Sequence, residues 1–174
     1  MQFSIDKSIE ILERTPKALQ LFLQGLDDDW TMQNEGGESW SVYEVIAHLI
    51  TAEKTNWLVR LELILSDETD KNFSTFKRVA SPEENTPKIL AELLAEFISV
   101  RNENLEKLRS KNITAEDLEK KGIHPVFGEV SLAQLLSTWT VHDLSHTAQI
   151  TRIMAKQYKT EVGPWVEYLR ILKS

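Results

Sequence analysis

At 174 residues the chain fits one domain, residues 1–174, and is long enough to bury a core without disulfide or metal staples. Its 41% hydrophobic and 27% charged residues are those of an ordinary globular protein. The 20 basic against 27 acidic residues give a formal charge of −7, which repels a phosphate backbone and argues against nucleic acid as a partner. Cysteine is absent, so this chain offers no disulfide, thiol nucleophile or thiolate ligand, and any metal would have to be held by His, Asp or Glu.

The opening MQFSIDKSIEIL carries acidic residues among its first ten and no apolar run of the signal-peptide kind. No stretch approaches the roughly 18 uninterrupted apolar residues of a membrane span. A cytoplasmic location and no membrane partner are the expectations. The first helix is read from about Ser4 to Leu23, with Ile5, Ile9, Leu12, Ala18, Leu19 and Phe22 at threes and fours and a kink expected at Pro16. Gly25 and the acidic DDD close it, and TMQNEGGES follows as a polar loop.

Ser41 and Glu44 form a capping box that opens the second helix. Val45, Leu49, Trp57, Leu61 and Ile64 then carry it to about Leu65, roughly 36 Å at 1.5 Å per residue. Residues 66–86 are polar and too many for a simple antiparallel turn, so they read as a crossover connection. Thr86 and Pro87 suggest the start of the third helix, whose stripe is Leu90, Leu93, Leu94, Phe97, Val100, Leu105 and Leu108. Thr114 to Lys121 reads as one or two helical turns closed by Gly122, and HPVFGE as a turn-rich link. A second capping box, Ser131 with Gln134, opens the fourth helix, which runs to about Gln157. After Gly163 and Pro164 the segment WVEYLRIL reads as a short C-terminal helix. No segment alternates with period two over a convincing length, which makes the fold all-α with four long helices.

The chain has four histidines: His48, His124, His142 and His146. In the fourth helix the apolar stripe Leu132, Leu135, Leu136, Trp139, Ile150 and Ile153 is interrupted by His142, His146 and Gln149. Residues four apart lie one above the other, so His142 and His146 can chelate one ion. They could instead be polar core residues bonded to neighbours such as Thr138 and Ser145, but each neutral ring would then have to satisfy two nitrogens in a dry place. His48, between Val45 and Leu49, points inward as well, and a third inward imidazole favours a three-nitrogen metal site. His124, beside Pro125 in a loop, reads as exposed and incidental.

HDLSH is similar to the HExxH of zinc proteases, but Asp143 is shorter than glutamate and turns about 100° off the stripe. It reads as a group orienting a ligand or as a solvated charge. Glu44 is explained by its capping box, and Glu53 reads as a polar shoulder residue.

The segment WSVYEVIAHLITAE, followed by HDLSHTAQI and a closing GPWVEYLRIL, resembles the DinB/YfiT-like superfamily across nearly the whole chain. The resemblance implies a four-helix bundle running up, down, down, up, with the 66–86 connection as the parallel crossover. It implies that His48, His142 and His146 bind a divalent metal ion, zinc or nickel, and that the protein is a homodimer. Characterised relatives include transferases and isomerases that use a low-molecular-weight thiol such as bacillithiol or mycothiol, while others stand as hydrolases.

Three protein nitrogens leave a coordination position open, as in catalytic rather than structural zinc. That position could serve hydrolysis or thiol chemistry, and the resemblance implies transfer of a small thiol to an electrophilic substrate as the first expectation. Metal-dependent hydrolysis and a non-enzymatic metal or ligand-binding module are the alternatives. Specificity is expected from Trp57, Trp139 and the 66–86 connection.

Overall fold

The computed structural model describes residues 3–76 and 88–173. Four long helical rods make the framework. The first is α1 (Ile5–Leu23); the second is α3 (Val42–Thr55) continued by α4 (Trp57–Leu65); the third is α5 (Leu90–Ser110); the fourth is α7 (Leu132–Gln157). Two one-turn helices, α2 (Asp28–Met32) and α6 (Ala115–Glu119), lie in the connections.

Both capping boxes form as their spacing requires. Ser41 N–H donates to Glu44 Oε2 at 2.7 Å while Glu44 N–H donates to Ser41 Oγ at 3.2 Å. Ser131 and Gln134 repeat the exchange at 2.8 and 3.2 Å. The first helix runs through Pro16 without a break. The ring removes one amide, so the carbonyl four residues back, that of Leu12, loses its usual partner. That carbonyl instead accepts from Arg101 Nη1 at 2.8 Å.

The relative directions of the rods follow from two apolar clusters. One gathers Leu12, Trp57, Leu61, Leu105, Leu136 and Trp139; the other gathers Leu19, Leu23, Leu49, Phe97, Ile150 and Ile153. From the first cluster to the second, residue numbers rise along α1 and α7 and fall along α3–α4 and α5. The first and fourth rods therefore run one way and the second and third the other. The second and third rods are thus parallel, and part of the 66–86 connection read as their crossover lies outside the described residues. α1 and α3 each pack against both α5 and α7.

Several local expectations are corrected. The second helix is interrupted at Asn56 (φ −119°, ψ −70°), although Arg60 N–H still reaches Asn56 O at 3.0 Å. Asparagine is a weak helix former whose side chain competes with the backbone. The third helix begins at Leu90, where Ile89 N–H donates to Glu92 Oε2 at 3.0 Å. The Thr86–Pro87 start lies outside the described residues. The acidic DDD does more than end a helix, because Asp27 accepts from Asp29 N–H at 2.9 Å and caps α2.

The link after α6 is a β-hairpin, β1 (Lys121–His124) against β2 (Gly128–Ser131), antiparallel from Lys121↔Ser131 to His124↔Gly128. Four-residue strands are too short for alternation to register in the sequence. Residues 71–73 add to its edge, with Phe73 N–H donating to Ile123 O at 2.8 Å and Ile123 N–H to Lys71 O at 2.9 Å. This close approach needs Gly122, since a Cβ there would lie 2.3 Å from the Phe73 ring. The C-terminal segment is 3₁₀ turns, Gly163–Tyr168 and Arg170–Leu172, not an α-helix. Among the described residues, no helix is long and apolar enough to cross a membrane.

Candidate metal centre

α3 and α7 bring His48, His142 and His146 together at the middle of the bundle. The Nε2 atoms of His48 and His142 are 3.2 Å apart, and those of His142 and His146 are 3.1 Å apart. One ring nitrogen from each of the three lies within 4.8 Å of the others, and this is the metal-competent group of histidines and carboxylates among the described residues. His124 is elsewhere: its Nδ1 accepts from Val126 and Phe127 N–H in the hairpin turn, at 3.2 and 3.3 Å, and its ring stacks on Phe127. It is half-buried there, more enclosed than expected of a loop residue.

The alternative of isolated polar core residues does not describe this arrangement. Thr138 Oγ1 donates to the Gln134 carbonyl within its own helix, and Ser145 is exposed. The rings face each other instead. With Gln149 Oε1 placed 2.7 Å from His146 Nδ1, the proton of that ring sits on Nδ1 and the Nε2 lone pair turns towards His142. A neutral imidazole has one N–H, so His142 Nε2 cannot make good hydrogen bonds to both neighbours: unprotonated it faces the His146 lone pair, and protonated it has one hydrogen for two neighbours. A cation removes that conflict. For nitrogen ligands 2.0–2.1 Å from a tetrahedral ion the nitrogen–nitrogen edge is about 3.3 Å, close to the spacing observed.

The electrostatics keep the two rings on the fourth helix unprotonated. His142 is pushed down to about 3, first by burial and then by the charges of His146, His48 and Arg101. Burial also lowers His146, opposed by Gln149 and Asp143. Near neutral pH both rings are therefore free bases, the form that binds metal.

Aromatic side chains surround the cluster. Trp40 lies 4.7 Å from the His48 ring centroid and stacks over His146 at 6.3 Å; Phe76 meets His48 edge-on at 5.6 Å; and Trp57 meets His142 at 5.1 Å. Trp57 is thus beside the metal centre as expected, and Phe76 brings in the 66–86 connection. Trp139 is not in the wall. It is fully buried, stacks on Trp57 at 5.9 Å and donates from Nε1 to Glu53 Oε1 at 2.8 Å. Sequence reasoning passed over Trp40, whose signal was its place just before the Ser41 cap of the helix that carries His48.

The solvated reading of Asp143 and the shoulder reading of Glu53 are corrected, while the alternative that Asp143 orients a ligand is not contradicted. Neither is solvated: Asp143 is 0% exposed and Glu53 3%. Each is paired with Arg101, 1% exposed, at distances of 2.6 to 2.9 Å. A buried arginine on the third helix was not anticipated, although Arg101 follows Phe97 by one turn, on the apolar stripe.

A four-helix bundle with three imidazoles converging between its second and fourth rods defines the class of protein. The DinB superfamily model matches residues 11–150, and the chain belongs to that family. A Bacillus cereus protein named "putative metal-dependent hydrolase" is 29% identical over 153 residues, covering 86% of this chain and 84% of the relative. A counterpart from another Bacillus cereus strain, of the same description, is 30% identical over 153 residues, with the same coverage of both chains.

Among solved structures, YfiT from Bacillus subtilis superposes with a TM-score of 0.69 at 17% identity, covering 91% of this chain and 87% of YfiT. It is described as "a probable metal-dependent hydrolase with an unusual four-helix bundle topology". The four-helix bundle protein TT2238 gives a TM-score of 0.57 at 22% identity, covering 85% of this chain and 98% of the other. The structural likenesses bear on the fold. The relatives' names and the three-histidine cluster together support a divalent metal.

Proposed function

We propose that the chain is a metal-dependent enzyme in which His48, His142 and His146 hold one divalent ion, zinc or nickel, and that it transfers a low-molecular-weight thiol to an electrophilic small molecule. The observation that carries the metal reading is the convergence of three Nε2 atoms, with spacings of 3.1 and 3.2 Å about His142. An ion held by three protein nitrogens keeps an open position, where its Lewis acidity lowers the pKa of a bound water or thiol.

The residues around the ligands favour a nucleophile that needs no protein base. Asp143, one residue from His142, and Glu53, five residues from His48, are both engaged by Arg101. Glu44 is engaged in its cap. Trp40, Trp57 and Phe76 instead offer an apolar, water-excluding wall, suited to holding the organic part of a substrate and to limiting competing hydrolysis. A thiol, acidic enough to be activated by the ion alone, fits these surroundings, and thiol transfer is also what the family resemblance implies.

Hydrolysis is the second reading, favoured by the names of the relatives at 29 and 30% identity. One experiment separates them. Protein purified without chelator is assayed for metal content, then given a panel of biological thiols with an electrophile, beside esters and amides. One ion per chain, lost in His142→Ala/His146→Ala and kept in His124→Ala, with metal-dependent thiol conjugation, is the expected result. Metal-dependent ester or amide cleavage without conjugation replaces the transferase by a hydrolase. Tight ligand binding without turnover of either kind leaves a binding module.

A further inference from the structure

Between the two apolar clusters lies a layer of charge. Arg101 Nη1 donates to Asp143 Oδ2 at 2.6 Å and to the Leu12 carbonyl at 2.8 Å; its Nη2 donates to Asp143 Oδ1 at 2.9 Å and Glu53 Oε1 at 2.7 Å. Glu53 also accepts from Trp139 Nε1 at 2.8 Å and from Asn104 Nδ2 at 2.9 Å. The guanidinium carbon lies 5.0 Å from the Phe97 ring and 5.4 Å from Trp139. One side chain of the third rod thus binds the first, second and fourth at a single level, and Pro16 supplies one acceptor by leaving Leu12 without its helical donor.

We infer that Arg101 is a positioning residue for the histidine cluster: by gripping Glu53 and Asp143 it fixes the axial register of α3 against α7, and so the meeting of His48 with His142. Asp143 is the residue next to His142, and Glu53 is five residues beyond His48 on the same helix. A slide of one helix along the other is resisted weakly by aliphatic side chains, which repack, and strongly by a forked pair whose donors and acceptors must coincide. A slide of one residue, about 1.5 Å, would separate Nε2 atoms now 3.2 Å apart. Buried ionic groups serve as register keys elsewhere more reliably than as sources of stability. The inference rests on the three-histidine reading for its consequence in metal binding, and on geometry alone for its consequence in the metal-free protein.

The test uses the full chain in both states. Arg101→Lys keeps the charge and loses the fork. Glu53→Gln/Arg101→Met/Asp143→Asn removes all three charges together, so no ion is stranded in the core. Leu108→Ala, which opens a cavity in the same apolar cluster as Trp139 without removing any polar group of the clasp, controls for general destabilisation. In the chelated wild type, nuclear Overhauser contacts are expected between the ring protons of His48 and His142, whose centroids are 5.3 Å apart. They should weaken or vanish in both clasp variants while helical circular dichroism persists, and should remain in Leu108→Ala.

Cobalt affinity should fall by about 10–100-fold in the triple variant, less in Arg101→Lys, and stay at the wild-type level in the control. Ring contacts and cobalt affinity unchanged in the folded triple variant would overturn the inference, as would an equal loss in Leu108→Ala. A triple variant that fails to fold leaves the decision to Arg101→Lys, judged by the same contacts. Wild type that shows the ring contacts but binds no cobalt would refute the metal reading and leave the clasp standing.

Discussion

Acid should destabilise the metal-free protein well above the range where carboxylates titrate, and His142 is the reason. Its ordinary value of 6.5 is pushed down to about 3 in the folded chain by burial and by the neighbouring histidines and Arg101. Folded protein therefore refuses a proton that unfolded protein accepts, so the stability of the folded state is complete above 6.5 and is lost progressively as pH falls towards 3. The slope is about 1.4 kcal/mol per pH unit within that window, or about 2 kcal/mol between pH 7 and pH 5. His146, lowered in the same direction, adds to the loss. Glu35, held down to about 2 by Arg152 and Lys156, contributes in the opposite range: its part is present above about 4.5 and lost only below it.

Urea denaturation of chelated protein at pH 7 and pH 5 reads this directly. At an m-value of about 2 kcal/mol per molar the midpoint should fall by about 1 M. His142→Gln should flatten the dependence. A midpoint unmoved between the two pH values, or a variant as acid-sensitive as wild type, would refute the burial of a neutral imidazole at this position.

Removing the metal should abolish activity yet leave helical circular dichroism largely intact, because two extensive apolar clusters hold the rods, unlike small zinc domains that unfold without their ion. A cooperative loss of helix on adding chelator would contradict this. Gly122→Ala should cost about 1–3 kcal/mol in thermal or urea unfolding, since its Cβ would meet the Phe73 ring at 2.3 Å; a neutral substitution would show that the hairpin is not packed on residue 73 as described. The chain is expected to form a homodimer through exposed apolar side chains, with Trp165 and Tyr168 at 69 and 81% exposure available to bury. Light scattering that gives the 20.0 kDa monomer mass at every concentration would exclude it.

Legibility varied with the kind of interaction. Capped, striped segments were readable because both signals are local: Ser41 with Glu44 and Ser131 with Gln134 form their boxes within three residues. The three histidines were readable because each breaks an apolar stripe at a position that faces inward. The hairpin was not, since its strands are four residues long and are stabilised by a third segment, residues 71–73. The charge layer was missed for a different reason. Glu53, Arg101 and Asp143 are each ordinary surface residue types, and nothing in their own neighbourhoods marks them as partners across 42 to 48 residues of chain. Pro16 was the available clue: a proline inside an unbroken helix strands a carbonyl, and a stranded carbonyl facing the core asks for a donor from elsewhere.

Arg101 bears on the chemistry of the centre as well as on its shape. Glu53 and Asp143 stand near His48 and His142 in sequence, and either carboxylate, if free, would compete with imidazole for a divalent ion or accept the proton of a bound nucleophile. Asp143 is occupied twice by the guanidinium, and Glu53 is shared among the guanidinium, Asn104 and Trp139. Held in this way, the carboxylates are committed to partners other than the Nε2 cluster. The donor set left behind is three imidazole nitrogens, which would hold an ion without cancelling its charge and so leave its Lewis acidity for a bound substrate. Freeing Asp143 by Arg101→Met should accordingly change the ligand set rather than merely weaken it. A cobalt spectrum that shifts towards mixed oxygen and nitrogen coordination is the expected outcome. A spectrum identical to wild type in a folded variant would show that Asp143 lies out of reach of the ion and that Arg101 acts through register alone.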